Sequence, residues 1–181
     1  MQRVLVIGSG GAGKTTFSLE LAKRTKLPVI HLDAHFWRPG WVQPEPEEWA
    51  DQVDQLTSEP RWIMDGNYGG TMERRLEACD TVVFLDRPRL LCLWRVVKRR
   101  LRHHRNSRQD LPPGCPEQLD LEFMRWIWSY PGRKRPAILE RLSRLRADQA
   151  VVVLRTGTDV RRFLTSVASG DGPHGSPAGS P

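Results

Sequence analysis

Short apolar runs alternate along this chain with longer segments of mixed polarity, and the alternation predicts an α/β fold. Five runs have the length and hydrophobicity of strands that are buried on both faces: residues 4–7, 28–32, 62–64, 81–85 and 150–154. A helix or a loop is expected between each run and the next. Strands connected in this way form a parallel sheet whose two faces are covered by helices.

The intervening segments repeat their apolar residues at helical spacing. We expect helices from residue 14 onward, after Pro46, over 71–76, from Pro88 to about residue 104, over 119–128, after Pro136 and over 160–167. Thr158 is expected to cap the last of these, and Pro131-Gly132 to interrupt the helical pattern before Pro136. The sequence thus predicts a three-layer sandwich with the sheet as its middle layer.

Two segments have the composition of irregular structure. Residues 106–117 contain three prolines and a glycine, which predicts a mobile loop. From residue 169 onward Gly, Pro, Ser and Ala dominate, so residues 169–181 are predicted to form a disordered tail. The remaining part, residues 1–168, has the size of one domain.

The loop after the first apolar run carries the strongest chemical signal in the sequence. It reads Gly8-Ser9-Gly10-Gly11-Ala12-Gly13-Lys14-Thr15 and fits G-x-x-x-x-G-K-[ST] between a strand and an amphipathic helix. Its glycines allow a turn whose N–H groups point at phosphate oxygens, and the helix adds its positive end. We expect a triphosphate site in which Lys14 reaches the β- and γ-phosphates, Thr15 binds Mg²⁺ and Thr16 lies beside them. The alternative is a Gly-rich turn that matches by accident, and the strand and helix around it argue against that.

The charge distribution adds polyanions to the expected partners. The formal net charge is +7, and nine Lys or Arg residues between residues 87 and 108 have no acid among them. Nucleotide phosphates in a cleft or a nucleic-acid backbone would both suit this charge. Three widely spaced cysteines suggest neither a disulfide framework nor a zinc site. No run has the length of a signal-peptide core or a membrane span, so we expect a cytoplasmic protein.

Charged residues follow four of the predicted strands. Asp33, Asp65, Asp86 and Arg155 each come within one residue of a strand end. Ligands of open parallel sheets bind beyond the carboxyl ends of the strands. We therefore expect these four residues to share one rim of the sheet with the loop at residues 8–15.

With these residues in place, the chain resembles the P-loop small-molecule kinases of the adenylate and shikimate kinase type. Asp65-Gly66 is similar to the start of their Walker B-like segment, and Asp86-Arg87-Pro88 with Arg95 and Arg99 is similar to the segment that leads into their ATP lid. A narrower group, the bacterial topology modulation proteins, has phrases similar to Pro39-Gly40-Trp41, Asp65-Gly66-Asn67-Tyr68, Gly114-Cys115-Pro116-Glu117 and Arg135-Pro136. The resemblance implies a five-stranded sheet of order 2-3-1-4-5, a lid at about residues 104–118, an acceptor-binding flap, and ATP and Mg²⁺ as cofactors.

The resemblance also implies roles on the nucleotide side. Arg95 would lie against the adenine and Arg99 would meet the phosphates, and their spacing of four places both on one helix face. Arg155 would join them at the rim. Asp65 would order Mg²⁺, with a turn aspartate as the alternative. For each arginine the alternative is a solvated basic face.

Asp33 is the clearest indication of the acceptor. Its place after the second strand is similar to that of an acidic residue in shikimate kinase, and a carboxylate suits an acceptor hydroxyl better than an acceptor phosphate. The alternatives for Asp33 are a contact with Mg²⁺ through water and a turn. We expect Trp37, Asn67 and Arg133 to line the acceptor site, although aromatic residues more often fill the core.

Arg125, which follows the expected lid, is our first choice for an arginine that closes on the transferred phosphoryl group, with Arg133 behind it. The leading hypothesis is therefore a kinase that transfers the γ-phosphoryl group of Mg-ATP to a nucleoside, a nucleotide or a hydroxylated metabolite. A nucleic-acid-associated ATPase or regulator of DNA topology is one alternative, and a catalytically silent ATP sensor is another.

Overall fold

The computed structural model describes residues 1–102 and 121–169, and for Arg102 the backbone only. The lid expected at residues 104–118 and all but the first residue of the expected tail lie outside the described residues. Within them, five parallel strands form one sheet in the order β2-β3-β1-β4-β5. The strands are β1 (Arg3–Gly8), β2 (Val29–His31), β3 (Trp62–Asp65), β4 (Thr81–Leu85) and β5 (Ala150–Leu154).

Helices cover both faces of this sheet. They are α1 (Lys14–Thr25), α2 (Leu32–Phe36), α3 (Pro46–Ser58), α4 (Met72–Ala78), α5 (Arg89–Arg102), α6 (Leu121–Arg133), α7 (Arg135–Ser143) and α8 (Gly157–Ala168). A 3₁₀ turn, Gly69–Thr71, precedes α4. The predicted fold class and strand order are confirmed.

Two apolar cores explain why the apolar runs become central strands. Along β1, Val4 and Val6 face a core that includes Phe17 of α1, whereas Leu5 and Ile7 face the opposite core. The same alternation divides β3 and β4 between the two cores. A strand with apolar residues on both faces has to be covered on both, and this requirement fixes the three layers.

The end of the second strand differs from the prediction. β2 ends at His31, two residues before Asp33, and the chain turns into the short helix α2. Leu32 is fully buried and packs close to Gly66, where an added Cβ would lie 2.8 Å from the Cβ of Leu32. This packing turns the chain off the sheet and places Asp33 in the first turn of α2.

Two other predicted boundaries are wrong. Pro131 does not interrupt the pattern, because α6 runs through it to Arg133. Proline removes one helical N–H there, while buried Tyr130 packs on Trp126 with ring centroids 5.2 Å apart and keeps that turn in place. The cap of the last helix is Thr156 and not Thr158, since the Oγ1 of Thr156 accepts the N–H of Asp159 at 3.1 Å.

Within residues 1–102 and 121–169, none of the helices has the length and hydrophobicity needed to cross a membrane.

Candidate functional site

The loop between β1 and α1 has the backbone conformation that its glycines permit. Gly11 and Gly13 have φ values of 75° and 98°, in the left-handed region that favours glycine. A Cβ at Gly11 would lie 2.3 Å from the carbonyl oxygen of Cys92, and a Cβ at Gly10 would lie 2.5 Å from the ring of Phe123. The backbone of α5 and a side chain of α6 therefore press on this loop, and larger residues would displace it.

The first turn of α1 presents its N–H groups to the site. Its N-cap is Gly13, which offers no side-chain oxygen, and no acidic residue lies in the first turn. Helix N-termini of this kind attract anions through their N–H groups and dipole. Thr15 is half-buried and Thr16 is exposed in this first turn. The geometry of the loop and the helix fits a phosphate group.

The side chain of Lys14 folds back onto the loop that precedes α1. Its Nζ donates hydrogen bonds to the carbonyl oxygens of Gly8 at 3.0 Å and Ser9 at 3.1 Å. Desolvation lowers the pKa of Lys14, the charges of Asp33 and Asp65 oppose this shift, and the charge of Arg99 adds to it. The ammonium group of Lys14 thus lies within electrostatic reach of two carboxylates and one guanidinium at the rim.

Asp65 ends β3 and is 5% exposed. Both of its carboxylate oxygens lie 3.1 Å from Nδ1 of His31, its partner in the β2–β3 register. This contact fixes the orientation of the carboxylate next to Lys14. His31 is a contributor that the sequence analysis missed, because only strand register shows that it stands beside Asp65.

Asp33 and Tyr68 form the opposite side of the site. The hydroxyl of Tyr68 donates a hydrogen bond of 2.6 Å to Oδ1 of Asp33. Burial and the charge of Asp33 raise the pKa of Tyr68, and a hydrogen bond with the side chain of Trp37 opposes this rise. The Tyr68 hydroxyl is therefore a permanent donor, and the indole of Trp37 lies close to it.

Asn67 supports the loop at residues 8–15, which as a candidate phosphate-binding loop we call the phosphate loop. Its Nδ2 donates to the carbonyl oxygen of Gly8 at 2.7 Å, and its Oδ1 accepts the N–H of Gly8 at 3.1 Å. The amide side chain thereby continues the pairing of β3 with β1 for one more residue. This geometry commits both polar atoms of Asn67 to Gly8, so its expected contact with the acceptor stays a prediction.

Arg75 of α4 is fully buried and holds the segment that carries Asn67 and Tyr68. Its guanidinium donates to the carbonyl oxygens of Gly66 at 2.9 Å and Tyr68 at 2.8 Å, to that of Asn67, and at 3.3 Å to that of Thr71. Burial lowers its pKa to about 10. Nothing in the sequence marked this arginine, since its role depends on a loop four to nine residues away.

Five aromatic side chains pack against one another, and we call them the aromatic hairpin cluster: Phe36, Trp37, Trp41, Trp49 and Tyr68. Phe36 contacts Tyr68 and Trp37 with ring centroids 4.5 and 4.9 Å apart, and Trp37 contacts Trp41 at 5.2 Å. An antiparallel bridge between Arg38 and Val42 closes the hairpin that carries Trp41, whose φ is 63°. Trp49 is buried, while Trp37 and Trp41 are half-buried.

Arg95 and Arg99 of α5 lie near the loop at residues 8–15, and their expected contacts with a nucleotide stay predictions. Nη1 of Arg95 donates to the carbonyl oxygen of Ala12 at 3.0 Å and lies close to Gly13. Arg99, one turn later, is close enough to Lys14 for its charge to lower the pKa of that lysine. Arg155 is exposed at the rim, with its Nε 3.5 Å from Oδ2 of Asp86.

Asp86 serves as an anchor between distant segments. Its carboxylate accepts Nε and Nη2 of Arg135 at 2.8 and 2.9 Å, and this pair raises the pKa of Arg135. The basic cluster at residues 133–135 is thus partly neutralised by the protein itself. Arg135 is a second contributor that the sequence showed only as part of a basic cluster.

Arg125 and Arg133 lie on the outer face of α6. The inner face of this helix reaches the phosphate loop through Phe123 and Ile127. Arg125 is two residues from each of them, hence on the opposite side of the helix, and it lines an open cavity of about 820 Å³ together with Arg133. The structure does not bring either arginine to Lys14, and their roles stay predictions.

The residues of the rim fit the cofactors that the sequence predicts. The uncapped turn of α1, Lys14 and the arginines of α5 suit a triphosphate, and Thr15 with Asp65 offers oxygen atoms of the kind that Mg²⁺ prefers. Over residues 1–102 and 121–169, no group of three or more His, Cys, Asp or Glu side chains could hold a metal ion alone. A Mg²⁺ ion here would therefore depend on phosphate oxygens and water as well.

Comparisons with known proteins support the architecture. No protein-family profile and no curated protein matches the chain. Shikimate kinase from Acinetobacter baumannii, solved in complex with shikimate, is 16% identical with a TM-score of 0.61, and the match covers 92% of this chain and 90% of that one.

Two further solved structures are similar to the chain. Shikimate kinase from Bacteroides thetaiotaomicron is 16% identical with a TM-score of 0.54, over 93% of this chain and 96% of that one. A sugar kinase from Janibacter sp. is 18% identical with a TM-score of 0.51, over 96% and 99%. Likeness at these identities concerns the fold, and it shows that the chain has the shikimate kinase-like P-loop α/β fold.

Proposed function

We propose that this protein is a phosphotransferase that moves the γ-phosphoryl group of Mg-ATP to a hydroxyl group of a small acceptor. The observation that carries the proposal is that Lys14 begins a helix whose N-terminus has no side-chain cap and lies within electrostatic reach of two carboxylates, Asp33 and Asp65. The first feature suits a triphosphate, and the second suits a metal ion and a hydroxyl. The solved kinases that share the fold support this class of reaction.

On the nucleotide side, the N–H groups of the loop and of the first turn of α1 bind phosphate oxygens. Lys14 gives up its hydrogen bonds to the carbonyl oxygens of Gly8 and Ser9 and binds the β- and γ-phosphates. The phosphate oxygens are charged and therefore stronger acceptors than the neutral carbonyl oxygens. Thr15 and Asp65 would hold Mg²⁺, and a bound Mg²⁺ ion would neutralise part of the phosphate charge. Arg95 and Arg99 bind the nucleotide from α5.

On the acceptor side, Asp33 orients the acceptor hydroxyl and takes up its proton. The donor from Tyr68 occupies Oδ1 of Asp33, while Oδ2 makes no hydrogen bond with any described residue and can accept one from the acceptor. Positioning of this kind accounts for much of the rate of phosphoryl transfer, since the chemistry needs few covalent steps from the protein. Arg125 and Arg133 would have to move toward the loop to contribute.

The experiment incubates the purified protein with labelled ATP, Mg²⁺ and a panel of nucleosides, nucleoside monophosphates and small hydroxylated metabolites. A new phosphorylated product names the acceptor class. Lys14→Ala is expected to abolish transfer, whereas Lys23→Ala, an exposed lysine of the same helix paired with Glu20, is expected to retain it. Equal ATP binding and equal transfer by Lys14→Ala and wild type would refute the proposal.

The basic segment keeps a nucleic-acid-associated ATPase as the second candidate, in line with the resemblance to topology modulation proteins. Several of its cations are committed inside the protein, because Arg87 donates to the carbonyl oxygen of Arg155 at 2.9 Å and Arg95 donates to Ala12. Sequence-selective DNA binding with a steep salt dependence would favour this candidate. An intact ATP site that transfers to no acceptor would favour the silent sensor.

A further inference from the structure

The acceptor side of the site is acidic, in contrast to the basic remainder of the chain. From residue 33 to residue 59 there are seven carboxylates and one basic side chain of Lys or Arg type, Arg38. The carboxylates are Asp33, Glu45, Glu47, Glu48, Asp51, Asp54 and Glu59. Glu47 and Glu48 lie in the first turn of α3, where they also stabilise its N-terminus.

The cations nearest to this segment are already paired. Arg38 forms an ion pair with Glu48, and Arg74 of α4 forms one with Asp54. Arg75 faces the carbonyl oxygens of its own loop and is fully buried. With seven carboxylates and one arginine, residues 33–59 carry a formal charge of −6, so a carboxylate or phosphate on an acceptor bound near Asp33 would meet like charge from this segment.

The aromatic hairpin cluster supplies the other half of the recognition. Trp37 lies one helical turn after Asp33, and its N–H donates to the carbonyl oxygen of Asp33 at 3.3 Å. The Trp37 ring packs on Phe36, which also contacts Tyr68, and the Tyr68 hydroxyl lies 2.6 Å from Oδ1 of Asp33. An indole ring therefore lies close to the carboxylate that would bind the reacting hydroxyl. Trp37 and Trp41 are both half-buried, and they support each other edge to face. A flat ring on the acceptor would find an aromatic surface here.

We propose that the acceptor is an uncharged compound that carries its hydroxyl group beside a planar ring, of which a nucleoside is the best example, and that nucleoside monophosphates and hydroxy acids are rejected. This inference rests on the proposed function and narrows its acceptor class. In the reaction, the acceptor oxygen forms a bond to the γ-phosphorus, and the bond from that phosphorus to the β,γ-bridging oxygen breaks. ADP leaves with the electron pair, and the hydroxyl proton passes to Asp33.

The test measures transfer from labelled ATP to nucleosides, to the corresponding monophosphates and to shikimate under equal conditions. We expect kcat/KM for the best nucleoside to exceed that for its monophosphate by on the order of tenfold or more, because the added charge faces carboxylates. Preferred transfer to the monophosphate or to shikimate would overturn the inference and leave the proposed function standing. A wild-type protein that fails to bind Mg-ATP would instead overturn the proposed function.

Two variants test the aromatic part. Trp37→Ala is expected to raise KM for the nucleoside several-fold with unchanged binding of Mg-ATP, and Trp37→Phe is expected to retain most of the affinity. Trp94→Ala is the matched control, because Trp94 is an exposed tryptophan of α5 that contacts Lys98.

If no compound of the panel is phosphorylated, nucleoside binding is measured by saturation-transfer NMR with Mg²⁺ and a non-hydrolysable ATP analogue. Nucleoside binding that Trp37→Ala weakens and Trp94→Ala does not weaken supports the inference. Absence of nucleoside binding, or equal binding to wild type and Trp37→Ala, contradicts it.

Discussion

At the scale of single residues, Arg75 shows how a buried cation organises a site without touching a ligand. It binds the carbonyl oxygens of Gly66, Asn67, Tyr68 and Thr71, and these residues follow directly on Asp65. Buried carbonyl groups that lose a donor cost free energy, and a charged donor is harder to replace than a neutral one. Arg75 is therefore a positioning residue for both sides of the site.

Replacement of Arg75 is the first prediction. Arg75→Met should lower the free energy of unfolding by about 2–4 kcal/mol, because several buried carbonyl groups lose their donor. Arg74→Met, at the neighbouring position, removes an exposed ion pair with Asp54 and should cost less than about 1 kcal/mol. Urea unfolding of the two variants measures the difference, and similar losses for both would show that the carbonyl contacts contribute little.

The carboxylate of Asp80 should make the stability of the protein depend on pH. Burial alone would raise its pKa, but hydrogen bonds from Thr81 and from the N–H groups of Arg3 and Gln2 lower it below the usual value. A lowered folded pKa gives stability that is present above the unfolded pKa and is lost as the pH falls through the folded pKa. Asp80 should thus stabilise the protein at neutral pH, and this contribution should begin to fall below about pH 4 and vanish below the lowered folded pKa.

The measurement compares thermal unfolding of wild type and Asp80→Asn across pH. Asparagine keeps an oxygen acceptor and removes the titration, so the variant should be less stable near pH 6 and should approach wild type near pH 3. A stability difference that stays constant over this range would rule out the ionised carboxylate as the cause.

Sequence alone predicted the strand-to-helix loop at residues 8–15 because its signal is local. Eight consecutive residues supply the turn, the N–H groups and the lysine, and no distant contact is needed to recognise them. His31, Tyr68 and Arg75 gave no such signal, since each acts through strand register or through a loop that only the folded chain brings close. The outward position of Arg125 likewise depends on which face of α6 packs on the loop.

At the scale of elements, apolar runs located the strands well and the ends of the helices less well. Burial on both faces makes a central strand evident in the sequence. A helix end, in contrast, depends on a few contacts: Leu32 turns β2 into α2, and Tyr130 holds α6 past Pro131. These contacts are tertiary, so local propensity did not predict them.

The N-terminus of α8 gives an element-scale prediction. Thr156 and Asp159 form a capping box, in which each side chain accepts the N–H of the other residue. Thr156→Ala should destabilise the protein by about 1 kcal/mol, because a helix N–H loses its partner. Thr158→Ala is the matched control inside the same turn and should be nearly neutral. Guanidinium unfolding would show it, and equal effects of the two substitutions would exclude capping as the explanation.

In the molecule as a whole, the residues of the candidate site lie at the carboxyl ends of the parallel strands. The phosphate loop follows β1, and α2 with Asp33 follows β2. Asp65 is the last residue of β3, and Asp86 follows β4. A ligand bound at this site would join segments that are far apart in sequence. Binding should therefore stabilise the folded state as a unit.

Thermal stability in the presence of Mg-ATP tests this link. At a ligand concentration of 100 times Kd the fold gains about 2.7 kcal/mol, which raises Tm by roughly 5–10 °C for a chain of this size. The shift should shrink strongly in Lys14→Ala and when a chelator removes Mg²⁺. Differential scanning fluorimetry measures it, and an equal shift in Lys14→Ala would place the nucleotide elsewhere.

The position of Arg75 also matters for how this protein can change over generations. One guanidinium supports Asn67, which holds Gly8 in the loop after β1, and Tyr68, which holds Asp33 in α2. A lineage that exchanged this side chain would have to rebuild both contacts together. Substitution of Trp37 or Trp41 would not disturb both of these contacts. Descendants with new acceptor preferences should therefore differ in the aromatic hairpin cluster and keep Arg75.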